Sequence, residues 1–125
     1  MNNSTTKEQT IKENVNAVLN LLSEGKFLDA MNEYLADDVI LREGNNEPKV
    51  GKEFCIRQEE ELLATVTAFH GYEVVSGPAV KGDTSFYEAV MKFDTADGQK
   101  HTFEQVVRTK WNDAGKIIEE RYYHS

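Results

Sequence analysis

The feature that most constrains this chain is a change of hydrophobic period near Thr65. Before it, apolar residues recur every three or four positions, the spacing of one helix face. After it they alternate, the spacing of one sheet face. Turn dipeptides cut the alternating region at intervals. Helices followed by strands joined through tight turns should give an α+β domain, a mostly antiparallel sheet with helices on one face.

Ile11, Val15, Val18, Leu19 and Leu22 make one stripe on the first helix. Gly25 is its natural stop, because it takes positive φ after the last turn. Thr5 with Glu8, and Thr10 with Glu13, both have capping-box spacing and place the helix start nearby. A second helix turns Phe27, Met31, Tyr34 and Leu35 inward. It is expected to end at Asp37-Asp38, whose side chains compete for backbone hydrogen bonds. Val39-Ile40-Leu41 reads as a short strand, and Asn45, Asn46 and Pro48 as a loop. A third helix is expected from about Lys52 to Ala64, with Phe54, Cys55, Leu62 and Leu63 on its apolar side. Glu59, Glu60 and Glu61 read as its solvated face.

Four strands follow: Thr67–Ser76, Thr84–Asp94, Gln99–Trp111 and Lys116–His124. The turns between them fall at Gly77-Pro78 and Gly82-Asp83, at Asp97-Gly98, and at Asn112-Asp113-Ala114-Gly115. Asp97-Gly98 is the strongest hairpin signal of these. In the second of these strands Tyr87, Ala89, Met91 and Phe93 should face the helices. In the third, the odd set containing Gln105 and Val107 is the less charged. The last strand has no dry face, so alternation alone does not orient it.

A chain of 125 residues with 39% hydrophobic content suits one domain with one core. The formal charge of −8 argues against a nucleic-acid partner. No apolar run approaches the ~20 residues that cross a bilayer. The polar start lacks the apolar core of a secretion signal. Cys55 is the only cysteine, which excludes an internal disulfide and makes a reducing cytoplasm the simplest home. No spacing among the three histidines and Cys55 matches a zinc motif. There is no phosphate loop, nucleophile elbow or dinucleotide fingerprint. No metal and no cofactor are therefore expected.

The element order, with Leu35-Ala36-Asp37-Asp38-Val39 and Gly51-Lys52-Glu53, resembles the nuclear transport factor 2-like superfamily, in its SnoaL-like and ketosteroid-isomerase-like branch. The resemblance runs from about Lys12 to His124. It implies a cystatin-like cone, a strongly curved sheet closed by three helices with a pocket at the wide end. The general-base aspartate of ketosteroid isomerases falls on Glu43, a carboxylate one methylene longer. The two oxyanion-donor positions fall on Val18 and Val107, which cannot donate. Losing one such donor typically costs ~10²–10³ in rate, so the resemblance does not extend to steroid isomerisation.

The same register turns Ile118, Glu120, Tyr122 and His124 into the cone. The implied ligand-binding wall is Phe54, Tyr87, Met91 and Tyr122, with Gln58, Gln105, Glu120 and His124 as polar members. Glu43 is the expected proton-transfer group, against the simpler reading of a solvated strand end. Glu120 inside a cone needs a partner, because an unpaired buried charge is costly. Three functions follow. One is a cofactor-free isomerase, cyclase or dehydratase acting on a small apolar organic molecule. The second is a non-catalytic binding module. The third is an interaction module whose cone is filled by its own side chains. Phe86, Val90 and Val106, flanked by Glu88, Lys92, Glu104 and Arg108, should form an outer face suited to homodimerisation.

Overall fold

The protein, seen in a computed structural model, is described over residues 3–124, and its side chains over 6–124. Helix α1 covers Asn3–Ser23 and α2 Phe27–Tyr34. Strand β1 covers Leu35–Glu43, β2 Lys49–Val50, and helix α3 Lys52–Leu63. The remaining strands are β3 (Val66–Lys81), β4 (Thr84–Thr95), β5 (Lys100–Trp111) and β6 (Ile117–His124). The six strands form one sheet in the order β2-β1-β6-β5-β4-β3. All neighbours are antiparallel except β1 and β6, which run parallel.

The α1 stripe works as its spacing demands: Ile11, Val15, Val18 and Leu19 are buried. Gly25 follows the helix at φ 78°, and its N–H closes on the Leu22 carbonyl at 3.0 Å. The helix begins earlier than a cap at Thr10 would allow. Thr10 lies inside it and donates back to the Thr6 carbonyl at 3.2 Å. The Thr5 side chain, half of the other expected box, lies outside the described ones. Glu8 instead accepts the N–H of Gly82 at 2.9 Å, pinning α1 to the β3–β4 turn.

Three local expectations are corrected. Helix α2 ends at Tyr34, and Ala36-Asp37-Asp38 already belong to β1; they lie in an irregular stretch between Leu35 and Ile40, and pairing of those two residues with β6 carries the aspartates along in the strand. Lys49-Val50, expected in a loop, pair with Leu41 and Ile40. Gly77-Pro78 does not end a strand. It forms an irregularity within β3, where pairing passes from Ser76–Glu88 to Ala79–Phe86. A Cβ on Gly77 would lie 2.9 Å from the Phe86 carbonyl oxygen, so the close approach of β4 requires glycine there.

The sheet's inner face splits into two ends. At one end the interior is solid. Trp111, Ser85, Thr109 and Val107 are each 2% exposed or less. The Trp111 indole N–H donates to Ser85 Oγ at 2.9 Å, and Tyr34 of α2 meets the indole edge-on at 6.2 Å. A register shift between Lys110 and Trp111 sets Trp111 opposite Ile117. Ile117 is therefore buried, and Ile118, expected inward, is only half-buried. Toward the other end, at Met91, Gln105 and Tyr122, the helices stand off the sheet and leave a hollow.

Candidate functional site

The hollow is a cavity of about 810 Å³ between the three helices and the inner faces of β1, β3, β4, β5 and β6. Its walls are largely apolar. Phe27 of α2 packs edge-on against Phe69 and Tyr72 of β3, with ring centroids 5.5 and 6.3 Å apart. Tyr87 and Met91 of β4 complete that side.

Its polar centre lies on β6. Alternation puts Glu120 and Tyr122 on the inner face, while Glu119 points outward to Arg108, 2.9 Å away. Glu120 faces the cavity and is otherwise enclosed by protein. Thr109 Oγ1 donates to its Oε2 at 2.6 Å, and the Tyr122 hydroxyl donates to its Oε1. Both donors are neutral. Burial therefore prevails over these two hydrogen bonds and raises the carboxyl pKa above the usual glutamate range. Deeper in the wall the Tyr72 hydroxyl donates to that of Tyr87 at 3.5 Å, a long contact. Burial, aided by the Glu120 charge, pushes the Tyr87 and Tyr122 phenols well above their ordinary pKa. They thus remain protonated donors at neutral pH.

The mouth carries a second acid. Glu43 ends β1, opposite Tyr122 in the parallel ladder. It lines the cavity, yet its side chain is 52% exposed, and His124 Nε2 lies 3.3 Å from its Oε2. Glu59 of α3 also lines the cavity. Burial raises its pKa, Lys49 opposes the shift and Glu43 adds to it.

Of the residues singled out from sequence, Glu43, Gln58, Tyr87, Met91, Gln105, Glu120 and Tyr122 lie on the cavity wall. Phe54 does not: it is 41% exposed on the outer side of α3. His124 is not on the wall either; it borders the site through Glu43, 3.3 Å away, and as the cross-strand partner of Gln105. Glu59 was read as solvated and is not. The signal that finds it is the phase of α3: Cys55 is buried, and Gln58, Glu59 and Leu62 follow at i+3, i+4 and i+7 on the same face. Of the two lost donor positions, Val18 lines the cavity and Val107 is buried in the solid end. Among the described residues no cluster of three or more His, Cys, Asp or Glu side chains could hold a metal ion. Among them too, no helix is long and apolar enough to cross a membrane.

Three helices against one face of a curved, mostly antiparallel sheet, with a hollow at one end, is the architecture of the nuclear transport factor 2-like superfamily. Within it the chain is similar to SnoaL-like members. A Mesorhizobium loti protein provisionally named a SnoaL-like polyketide cyclase is 28% identical, with a TM-score of 0.77 over 89% of this chain and 96% of that one. A nuclear transport factor 2-like protein of unknown function from Burkholderia pseudomallei is 11% identical, with a TM-score of 0.77 over 93% and 91%. An epoxide hydrolase of the LEH-like type from M. tuberculosis is 18% identical, with a TM-score of 0.75 over 94% and 84%. No protein-family model matches the sequence, and no curated protein matches it.

Proposed function

We propose that the cavity receives one small, largely apolar organic molecule and exchanges a proton with it through Glu120, without a cofactor. The observation that carries this reading is a carboxyl group enclosed on the wall of an 810 Å³ apolar cavity and held only by neutral donors. Such a carboxyl has its pKa moved toward neutrality, where a group can both take and return a proton. The Tyr87 hydroxyl on the same wall, which accepts from Tyr72 and keeps its own proton, can donate to an oxygen on the ligand that gains charge. Isomerisation, aldol-type cyclisation and dehydration all need those two elements. The SnoaL-like polyketide cyclase name of a 28% identical structure supports a small organic ligand.

A bicyclic ketone tests this. In D2O, the protein should speed deuterium uptake at the carbons beside the carbonyl of 2-tetralone, read by mass spectrometry. Glu120→Gln should lower that rate at least ~10²-fold, and Glu43→Gln should not. The reverse pattern would move the proton transfer to Glu43, where its contact with His124 favours it. Saturable binding with no exchange would select the binding module.

We also propose that the outer sheet face pairs with a second copy of the chain. Cross-strand register sets Arg108, Arg121 and Arg42 abreast on β5, β6 and β1. Glu73 and Glu104 flank Val90 on a parallel row. Between the two rows stand Val106 and Tyr123, 43% and 42% exposed. A two-fold axis through that middle row would lay each acidic row over the partner's arginines.

A further inference from the structure

The charged groups on the cavity wall are strongly unbalanced. Glu24, Glu43, Glu59, Glu61 and Glu120 line it, against a single ammonium, that of Lys49; Glu24, Glu43 and Glu61 are exposed at the mouth, while Glu59 and Glu120 are half-buried. Two of these acids are met by basic side chains off the wall: Glu24 by Lys26 at 3.0 Å and Glu43 by His124 at 3.3 Å. Among the described residues Glu59, Glu61 and Glu120 have no salt bridge. An independent feature of the same wall points the same way. Six aromatic rings contribute to it: Phe27, Phe69, Tyr72, Tyr87, Phe93 and Tyr122. Ring faces are electron-rich and attract a positively charged head that has shed its water. Glu59 and Glu120, the two acids shielded from water, attract the same head and repel an anion, and the exposed acids at the mouth add a weaker pull of the same sign.

We infer that the ligand of this cavity is an organic cation, an apolar skeleton carrying a protonated or quaternary amine, and not a carboxylic acid or phosphate. The inference rests on the cavity being a ligand site and not on proton transfer by Glu120. The amine end lies among the rings within reach of Glu59, and the skeleton fills the apolar remainder. Glu59 fits that part because burial disfavours it as a bare anion by more than Lys49 offsets, and Glu43 adds to the effect. A bound cation would add to what Lys49 supplies and relieve the remainder.

Three probes of one size and different charge decide the matter: (2-naphthylmethyl)trimethylammonium, 2-naphthalenemethanol and 2-naphthaleneacetate. Isothermal titration calorimetry on the whole chain at neutral pH should find the cation bound at least tenfold tighter than the alcohol, about 1.4 kcal/mol. The acetate should be weaker than either. Glu59→Gln should narrow the cation–alcohol gap severalfold and leave the alcohol's affinity unchanged. Thermal melting without ligand shows that the variant folds. If Glu59→Gln fails to fold, raising the salt concentration supplies the second readout. An attraction built on charge must then shrink for the cation and not for the alcohol. Equal binding of cation and alcohol, or preference for the acetate, overturns the charge assignment and leaves the cavity a ligand site. Binding of none of the three overturns both.

Discussion

The two ends of one sheet have been built to opposite specifications. At the solid end, the buried polar side chains of the inner face, Trp111, Ser85 and Thr109, each have a protein partner. The Trp111 indole is spent on Ser85, and Tyr34 covers the ring. At the hollow end the same strands carry Tyr87, Gln105, Glu120 and Tyr122 onto a wall with nothing packed against it. Thr109 links the ends, buried to 1% on the solid side while donating to Glu120 on the other. The difference teaches that close packing and open space are separated along the strands and not between elements.

That separation can be broken at its strongest point first. Trp111→Ala should lower the unfolding free energy by about 3–5 kcal/mol, and Met91→Ala, whose side chain already borders empty space, by less than about 1 kcal/mol. Urea denaturation of the two variants gives the contrast. Comparable losses would mean that the hollow collapses in solution and that the ends do not differ. Trp111→Phe should fall between them, at about 1–3 kcal/mol, because it leaves the Ser85 hydroxyl without its donor.

The next effect sharpens the contrast through pH. The fold raises the Glu120 pKa, so its proton is held more tightly in the folded chain than in the unfolded one. The stability it contributes is complete below the usual glutamate range and is lost as pH climbs through the raised value. Glu120→Gln cannot titrate. Urea unfolding at about pH 4, 6 and 8 should therefore show the variant gaining on the native chain as pH rises. A gap that stays constant would place the carboxyl in open solvent. The smallest effect on folding is expected outside the cavity altogether. Val106→Asp on the outer face should change monomer stability by no more than about 0.5 kcal/mol. It should nevertheless halve the mass seen by sedimentation if the copies pair there.

Much of this arrangement was legible in the sequence because local chemistry and tertiary fold agree over most of it. Asp97-Gly98 makes its hairpin, with β4 ending at Thr95 and β5 starting at Lys100. The odd residues of β4 and β5 turn inward as their alternation requires. Where reading by residue type failed, the partner that decided the outcome was remote. Asp37 and Asp38 look like a helix stop, but β6, almost eighty positions later, pairs with Leu35 before them and Ile40 after them and holds the stretch between in the strand. Phe54 looks like pocket wall by its apolarity, yet helical phase set by Cys55 turns it outward and brings Glu59 in. The apolar–polar code assumes that acids face water. It cannot register a cavity that water-loving groups share with aromatic rings.

Strand β6 is the last of the six to be made, yet it lies between β1 and β5. The β1–β2 pair and the β3–β4–β5 hairpins are separate pieces of sheet until it arrives. Without β6 the fold has two unsealed strand edges, those of β1 and β5, and no finished hollow. The strand that joins the pieces also brings Glu120 and Tyr122. Closure of the sheet and placement of the cavity's polar centre therefore depend on the same strand.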